Sequence, residues 1–408
     1  MRMPPEDFRD SVAIVGIGYS RSPSSPGGFS KNSGESVTTL TVRAAREAAA
    51  DAGLDPKDID AGVTYQTSDS IEPQAALRAL GVRRIHQDTN LTGGGNYASA
   101  SIMMGAQIIY HGMADYCLVY RSMNGRSGFR MGQSGAGAGG GTNRVGGPGQ
   151  FQNIYGLAGP PSTYAQQARR YMGLYNVSSA DLAEWSVNSR SNAVKNPRAT
   201  MRDPITVEDH QNSRYIVNPY HLLDCCLETD VACAMILTSA ERAKEMRKTP
   251  LLIRAAIGGP SPFADLADTG FKYMRDKLFA AADIQLSDID IALLYDNFTD
   301  CPMRMVEDIG WCGPGECADF VRSGATALDG EIPMQTQGGL INEGYCHGLN
   351  NALEAAQQLW GEAECLCPNW SEGEHTFDRE ICRQTRDPKI ALHAGVVGKS
   401  ALVMMKAD

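Results

Sequence analysis

The sequence predicts a duplicated α/β fold with mostly parallel strands, and three observations carry that expectation. Asp58-Ile59-Asp60-Ala61-Gly62-Val63-Thr64-Tyr65 returns as Asp288-Ile289-Asp290-Ile291-Ala292-Leu293-Leu294-Tyr295. Each copy follows an alanine-rich helical segment, Ala48 to Ala52 in one and Ala280 to Ala282 in the other. After each copy a glycine-rich turn opens a helix: Gly93-Gly94-Gly95 before Ala98 to Tyr110, and Gly344 to Gly348 before Leu349 to Trp360. Helix, strand, turn and helix in one order, twice over, is the pattern of a repeated α/β unit.

The elements follow in chain order. Ser11 to Gly18 reads as a buried strand running into a tight turn at Gly16-Ile17-Gly18. A dinucleotide loop would need a third glycine and an acidic residue about 20 positions on, after a second strand, and both are missing. Thr38 to Ala52 has helical periodicity, with Gly53 as its C-terminal cap. Between Asn124 and Pro219 the pattern breaks. Ser134 to Gly149 holds eight glycines in sixteen residues and reads as a mobile loop. Tyr164 to Met172 and Ser179 to Val194 read as helices, so the whole stretch is an excursion of the kind that covers a site. Cys225 to Ser239 returns to strand character. The expected organisation is a first half made of residues 1–123 and 220–258, an inserted loop domain over 124–219, and a second half over 259–408.

Bulk properties narrow the function. A chain of 408 residues with 42% hydrophobic and 21% charged content suits a globular enzyme. A net charge of −10 argues against nucleic acid as partner. No run approaches the ~20 apolar residues of a membrane helix. The start, Met1 to Asp7, carries early acids and no apolar run, so no signal peptide is expected. Eleven cysteines without disulfide-like spacing fit reduced thiols in a cytoplasm. Cys365-Leu366-Cys367 with Cys382 downstream is a cluster that suggests zinc, but it lacks paired CxxC spacing, and no metal site is expected.

Two loops carry the chemistry: Leu294-Tyr295-Asp296-Asn297-Phe298, and Gly338-Gly339-Leu340-Ile341-Asn342-Glu343-Gly344-Tyr345-Cys346-His347-Gly348. From Val12 to Met404 the chain resembles the thiolase superfamily, in its sterol-carrier-type and lipid-transfer-like branch. That resemblance implies a duplicated five-layer αβαβα fold with an inserted loop domain. The family's His-Asp-Cys-Phe motif stands here as Tyr295-Asp296-Asn297-Phe298, and Gly-His-Pro-x-Gly as Gly344-Tyr345-Cys346-His347-Gly348. Counting back from Ala114-Asp115, which resembles the strand after the nucleophile helix, the nucleophilic cysteine falls on Gly95; a register shift would put Tyr97 there. His393, in Leu392 to Gly398, stands at or beside the family's second cysteine. Four catalytic positions have changed, two of them to tyrosine.

Acyl transfer through a covalent intermediate needs a thiolate and a histidine to activate it. Gly95 supplies neither. A retro-aldol cleavage instead needs a base for a β-hydroxyl proton, donors for the thioester enolate, and an acid to reprotonate the α-carbon. Tyr295 and Tyr345 are assigned as the base and acid pair, in either order. Asn297, His347 and His393 are candidate enolate or hydroxyl ligands, and Asp296 is a candidate to orient a neighbour. Drawing a phenol from its ordinary pKa of about 10 toward 7 takes roughly 4 kcal/mol; a nearby imidazolium is one source, and a neutral tyrosine acting as acid needs less. Arg121, Arg126 and Arg130 form a basic stretch that either meets nucleotide phosphates or is a solvated face, and Gly95 and Tyr97 are further binding candidates.

The resemblance implies an aldolase that splits a 17-hydroxy steroid acyl-CoA into a ring ketone and propionyl-CoA. It implies no cofactor beyond the coenzyme A of the substrate. It also implies a thiolase-like homodimer joined to a small partner with an OB-fold and a zinc ribbon, any zinc lying in that partner. Two rivals stand beside it: a non-catalytic acyl-CoA or sterol carrier, and an acyltransferase using Cys346.

Overall fold

A computed structural model describes residues 6–128, 130, 149–152, 155, 157, 159–258 and 264–407. The first-half strands are β1 (Val12–Tyr19), β2 (Ala61–Gln66), β3 (Gln87–Thr92) and β4 (Cys117–Asn124). After a small ribbon of β5 (Tyr215–Val217) and β6 (Tyr220–His221) come β7 (Asp230–Ser239), β8 (Leu251–Gly258), β9 (Ile291–Leu294), β10 (Ile390–Ala394) and β11 (Ser400–Lys406). Nine of them form one sheet in the order β3-β2-β4-β7-β1-β8-β11-β10-β9.

The duplication is visible in the pairing. β1 runs antiparallel to β7, and β7 antiparallel to β4, which is parallel to β2. In the second half β8 is antiparallel to β11, and β11 antiparallel to β10, which is parallel to β9. β8 thus holds in the second half the place that β1 holds in the first. It ladders with β11 from Leu251 to Gly258 but meets β1 only at Leu251 and Leu252, so the boundary between halves falls before β8 and not at 258. The repeated aspartates do one job in both copies. Asp60 accepts from the backbone N–H of Tyr116 at 2.8 Å, and Asp290 from that of Ile390 at 2.8 Å, each tying the entry of its strand to the parallel neighbour.

The expectation of mostly parallel strands needs correction, since only the β2–β3, β2–β4 and β9–β10 pairs are parallel among the described residues. Parallel neighbours require a crossover helix, and each half has one on these pairs. The last strand of each half arrives differently, β7 after the long excursion and β11 after the short turn Gly395–Lys399, so both enter reversed.

Helices cover both faces. α1 (Val37–Ala52) and α2 (Pro73–Leu80) pack on one side of the first half with Leu118, Tyr120 and Ala234, while Cys117, Val119 and Met235 point to the other. On that other side, between the halves, lies α3 (Ala98–Tyr110). The excursion supplies α4 (Gly159–Tyr175) and α5 (Ser179–Ala193). α6 (Phe271–Ala282) packs on β8, followed by α7 (Asp300–Ile309), and α8 (Leu349–Trp360) joins α3 between the halves. α1 is capped by Ser36, which accepts from Thr39 N, and ends at Gly53 with φ 74°, as expected. Gly16 and Gly18 are not a turn. They lie within β1, where a Cβ would come within 2.4 Å of Ala48 O and 2.2 Å of Ala44 O, so they let the strand press against α1. The glycine-rich stretch 134–149 lies outside the described residues except for its last position.

Candidate active site

The reactive loops meet where α3 and α8 begin. Tyr295 leaves the end of β9, and its ring packs against two glycines that precede these helices. A Cβ on Gly95 would sit 2.0 Å from Tyr295 Cε2 and 2.3 Å from its hydroxyl; one on Gly348 would sit 2.6 Å from Cδ2. The phenol therefore occupies the space that a side chain at position 95 would need. Tyr345 comes from the loop before α8, pinned by Thr229, whose hydroxyl accepts from Tyr345 N at 2.9 Å. The two phenol oxygens are 2.7 Å apart, with rings edge to face. Both side chains are buried, and burial pushes both phenols well above their ordinary range; each also feels the Cys226 thiol nearby.

His347, two residues after Tyr345, adopts a left-handed backbone with φ 48°. Such a conformation persists only where neighbours hold it. Tyr65 donates to the His347 carbonyl at 2.8 Å, and Arg121 Nε donates to Nδ1 at 3.1 Å. With Nδ1 accepting, the neutral ring carries its proton on Nε2, beside Gly94. Burial, then repulsion from Arg121, holds the ring's pKa near 3. Its imidazole edge lies 5.0 Å from the Tyr345 ring, centroid to centroid.

His393 is not aimed at the tyrosines. Its Nε2 donates to Gly348 O at 3.1 Å, and Nδ1 accepts from Ser99 Oγ at 2.9 Å. Both ring nitrogens are engaged, so it clips α3 to the Gly348 turn instead of meeting an enolate. Burial keeps its pKa near 4. The imidazolium expected to draw a tyrosine toward neutrality is thus missing at both histidines. Asp296, raised to about 7 by burial, accepts from Leu340 N at 2.9 Å and orients the 338–343 loop. Asn297 lines a cleft of about 440 Å³ together with Tyr345, Phe298, Cys225 and Cys226. Its Oδ1 is buried without a hydrogen-bond partner among the described residues.

The basic stretch divides. Arg121 is fully buried, paired with Asp69 at 2.6 Å, and cannot reach a nucleotide phosphate. Arg126 and Arg130 do line the cleft, both paired with Glu228. Tyr97 packs against Gly93. Cys346 is buried and its thiol donates to Arg121 O at 3.3 Å, a packing role that leaves the acyltransferase rival without a nucleophile there. Sequence reasoning passed over Cys226 and Tyr164, the latter reaching toward Asn297 from α4. It also passed over the exposed cations Lys31 and Arg214 at the cleft. None of these sits in a motif; only the chain's path brings them in.

Behind the loop lies a buried ion network. Arg198 pairs with Glu343 at 2.8 Å and Glu354 at 3.2 Å, and Glu354 pairs in turn with Arg383. Asn350 bridges Glu343 to Gly344 O, joining the network to the turn that carries Tyr345.

The neutral histidines set a pH response. His393 has a folded pKa near 4 against 6.5 for the free group, so between those values the unfolded chain takes a proton that the folded chain refuses. Its contribution is intact above pH ~6.5 and is lost as pH falls toward 4, about 3 kcal/mol at the acid end. Asp296, raised instead of lowered, acts in the opposite sense, so substitution isolates the histidine. Thermal midpoints followed from about pH 7 to 4.5 should fall less steeply in His393→Gln than in the wild type; parallel slopes would remove His393 from the account.

Comparison with known proteins gives the chain its family. Residues 261–368 match the family model described as thiolase C-terminal domain-like. A 17-hydroxy-3-oxo-4-pregnene-20-carboxyl-CoA lyase of Mycobacterium tuberculosis is 38% identical over 361 residues, 86% of this chain and 92% of the relative. A steroid side-chain-cleaving aldolase of Thermomonospora curvata is 35% identical over 364 residues, 86% of this chain and 90% of the relative. The solved structure of an Ltp2-ChsH2(DUF35) aldolase superposes with a TM-score of 0.83 over 98% of both chains at 31% identity. The chain belongs to the thiolase superfamily, in the lipid-transfer-protein-like branch of steroid side-chain-cleaving aldolases.

Proposed function

We propose that this chain cleaves a 17-hydroxy steroid acyl-CoA by a retro-aldol reaction, giving a 17-keto steroid and propionyl-CoA. The observation that carries the mechanism is the 2.7 Å contact between the Tyr295 and Tyr345 hydroxyls. The reaction moves one proton from the β-hydroxyl oxygen to the α-carbon and breaks the bond between the β- and α-carbons. Two hydrogen-bonded phenols can carry that proton as a relay. One phenol oxygen accepts the hydroxyl proton while passing its own to the second phenol, which delivers a proton to the enolate carbon. No phenolate has to stand alone, so phenols whose pKa burial has raised are suited to the task. Asn297 Oδ1 is positioned to receive the substrate hydroxyl at the cleft floor, and the His347 Nε2–H is the candidate donor to the thioester oxygen. These assignments rest on the site's geometry and on the activities named for the relatives.

The cleft is also the proposed entrance for coenzyme A. Lys31 and Arg214 have no ion pair among the described residues, which leaves both available to phosphates. Lys31→Glu and Arg214→Glu should each raise KM about tenfold with kcat little changed, since such contacts act on ground and transition states alike. An unchanged KM in both would move the phosphates elsewhere. By likeness to the Ltp2-ChsH2(DUF35) aldolase, a DUF35-type partner is proposed, with OB-fold and zinc-ribbon parts, around a homodimer of this chain. A cytoplasmic setting is proposed from the eleven free cysteines; among the described residues no helix is long and apolar enough to cross a membrane.

The deciding experiment incubates the chain and its partner with the 17-hydroxy steroid CoA thioester and no added free CoA. Equal amounts of propionyl-CoA and 17-ketone are expected by mass spectrometry. Cleavage that depends on added CoA would mean thiolysis, and bound but unreacted thioester would mean a carrier.

A further inference from the structure

We propose that Cys365, Cys367 and Cys382, with His375 as the fourth ligand, form a structural zinc site in this chain. The sequence spacing predicts none, because Cys-x-Cys lacks the paired knuckle. The fold supplies what the spacing does not. All three sulfurs lie within 4.8 Å of one another, and Cys365 and Cys382 are 3.6 Å apart. Zinc–thiolate bonds of about 2.3 Å at tetrahedral angles require sulfurs about 3.8 Å apart. A disulfide would need about 2.05 Å.

Backbone donors meet two of the sulfurs, although Cys365 Sγ also lies 3.1 Å from Ala363 O. Arg383 N donates to Cys365 Sγ at 3.2 Å, and the backbone amides of Phe377 and Gln384 face Cys382. Amide donors of this kind spread the charge of metal-bound sulfur and fix its orientation. The three side chains are buried with Trp370 and Ile381 against them. His375 lies near enough to Cys382 to act on its thiol electrostatically; its ring nitrogens are not within 4.8 Å of all three sulfurs, so it swings inward to complete the set when the metal binds. Its Nε2 is buried and has no hydrogen-bond partner among the described residues. Burying an imidazole nitrogen with no partner is costly, and a bond to metal removes that cost. Three thiolates and one imidazole, in a closed tetrahedral set, suit zinc over harder divalent ions.

The site also answers a folding question. Residues 361–389 connect α8 to β10 with only the short turn Trp370–Glu372 as regular structure. A connector of that length seldom holds one conformation unless something ties it, and metal binding can supply folding free energy directly. The tie leads inward. Arg383, adjacent to Cys382, donates to Glu364 O and pairs with Glu354, which reaches the Tyr345 turn through Arg198 and Glu343.

The test is elemental analysis of the full chain, purified as it assembles and without chelator, beside Cys382→Ser and His375→Ala prepared identically. Zinc brought by a partner cancels between preparations. The wild type should carry about one zinc per chain more than Cys382→Ser, and His375→Ala should bind zinc about ten- to a hundredfold more weakly. Should Cys382→Ser fail to fold, titrating wild type with a mercurial against a zinc-sensitive dye should release that zinc as these thiols are modified. Equal zinc in wild type and Cys382→Ser, free reaction of the three native thiols with an alkylating reagent, or a Cys365–Cys382 disulfide in the intact mass would each overturn the site. Undiminished affinity in His375→Ala would overturn the four-ligand assignment.

Discussion

Tyr345→Phe is expected to lower kcat about a thousandfold, or roughly 4 kcal/mol of barrier, while leaving the dissociation constant of an unreactive acyl-CoA analogue within about threefold. The size follows from position. Tyr345 lines the cleft, and its hydroxyl is 2.7 Å from that of Tyr295. Removing either oxygen cuts the proton's path, and positioned acid–base groups typically contribute between about 10² and 10⁴. Tyr295→Phe should fall in the same range, and the double variant should be scarcely worse than either single one, because groups that act as a unit are not additive. The pH profile checks the neutral-relay reading separately. A lone phenolate base would make kcat/KM climb steadily between about pH 7 and 9, whereas a relay of neutral phenols leaves it flat. Retention of most activity by both Phe variants would refute the assignment outright.

The second large effect is expected at a residue with no functional group. Gly95→Ala places a methyl 2.0 to 2.3 Å from Cε2, Cζ and the hydroxyl of Tyr295. Gly348 is packed against the same ring, at Cδ2 and Cε2, so there is little slack there to absorb the methyl. The ring must turn out of line with Tyr345, and kcat should fall about 10²- to 10³-fold with a loss of ~1–3 kcal/mol in stability from overpacking. Gly95→Cys meets the same obstruction, so it should show neither aldol cleavage nor thiolysis. Steady-state rates beside thermal midpoints decide this, and near-normal turnover in Gly95→Ala would mean that Tyr295 is not held where the structure has it.

Much of the frame was legible because it rests on local chemistry. The Asp60 and Asp290 repeat could be read because each carboxylate does a short-range task at a strand entry, and the glycine turns before α3 and α8 are obligatory breaks. The antiparallel return of β7 and β11 could not be read, since their direction depends on where a connection ends and leaves no trace in strand composition. At the site, the tyrosines stood out because family positions marked them. His393 carried the same signal, and the fold engages both its ring nitrogens with Ser99 and Gly348. Arg121 and Arg126 look alike in the chain, yet one lies in a strand core and the other at a cleft edge. Cys226 reaches the tyrosines through a backbone bridge of its segment to Asn297 and Phe298, a long-range pairing that no periodicity encodes. The three cysteines between 365 and 382 failed a spacing rule because their meeting depends on how the connector folds back.

The packing of Tyr295 against Gly95 bears on the history available to this scaffold. An ancestor with a side chain at position 95 could not have accepted the tyrosine in this pose, and the present chain cannot regain a side chain at 95 without first losing the ring. The two positions are thus sign-epistatic. Each single reversion is expected to cost activity, so selection acting one substitution at a time would hold the scaffold on the aldolase side like a ratchet.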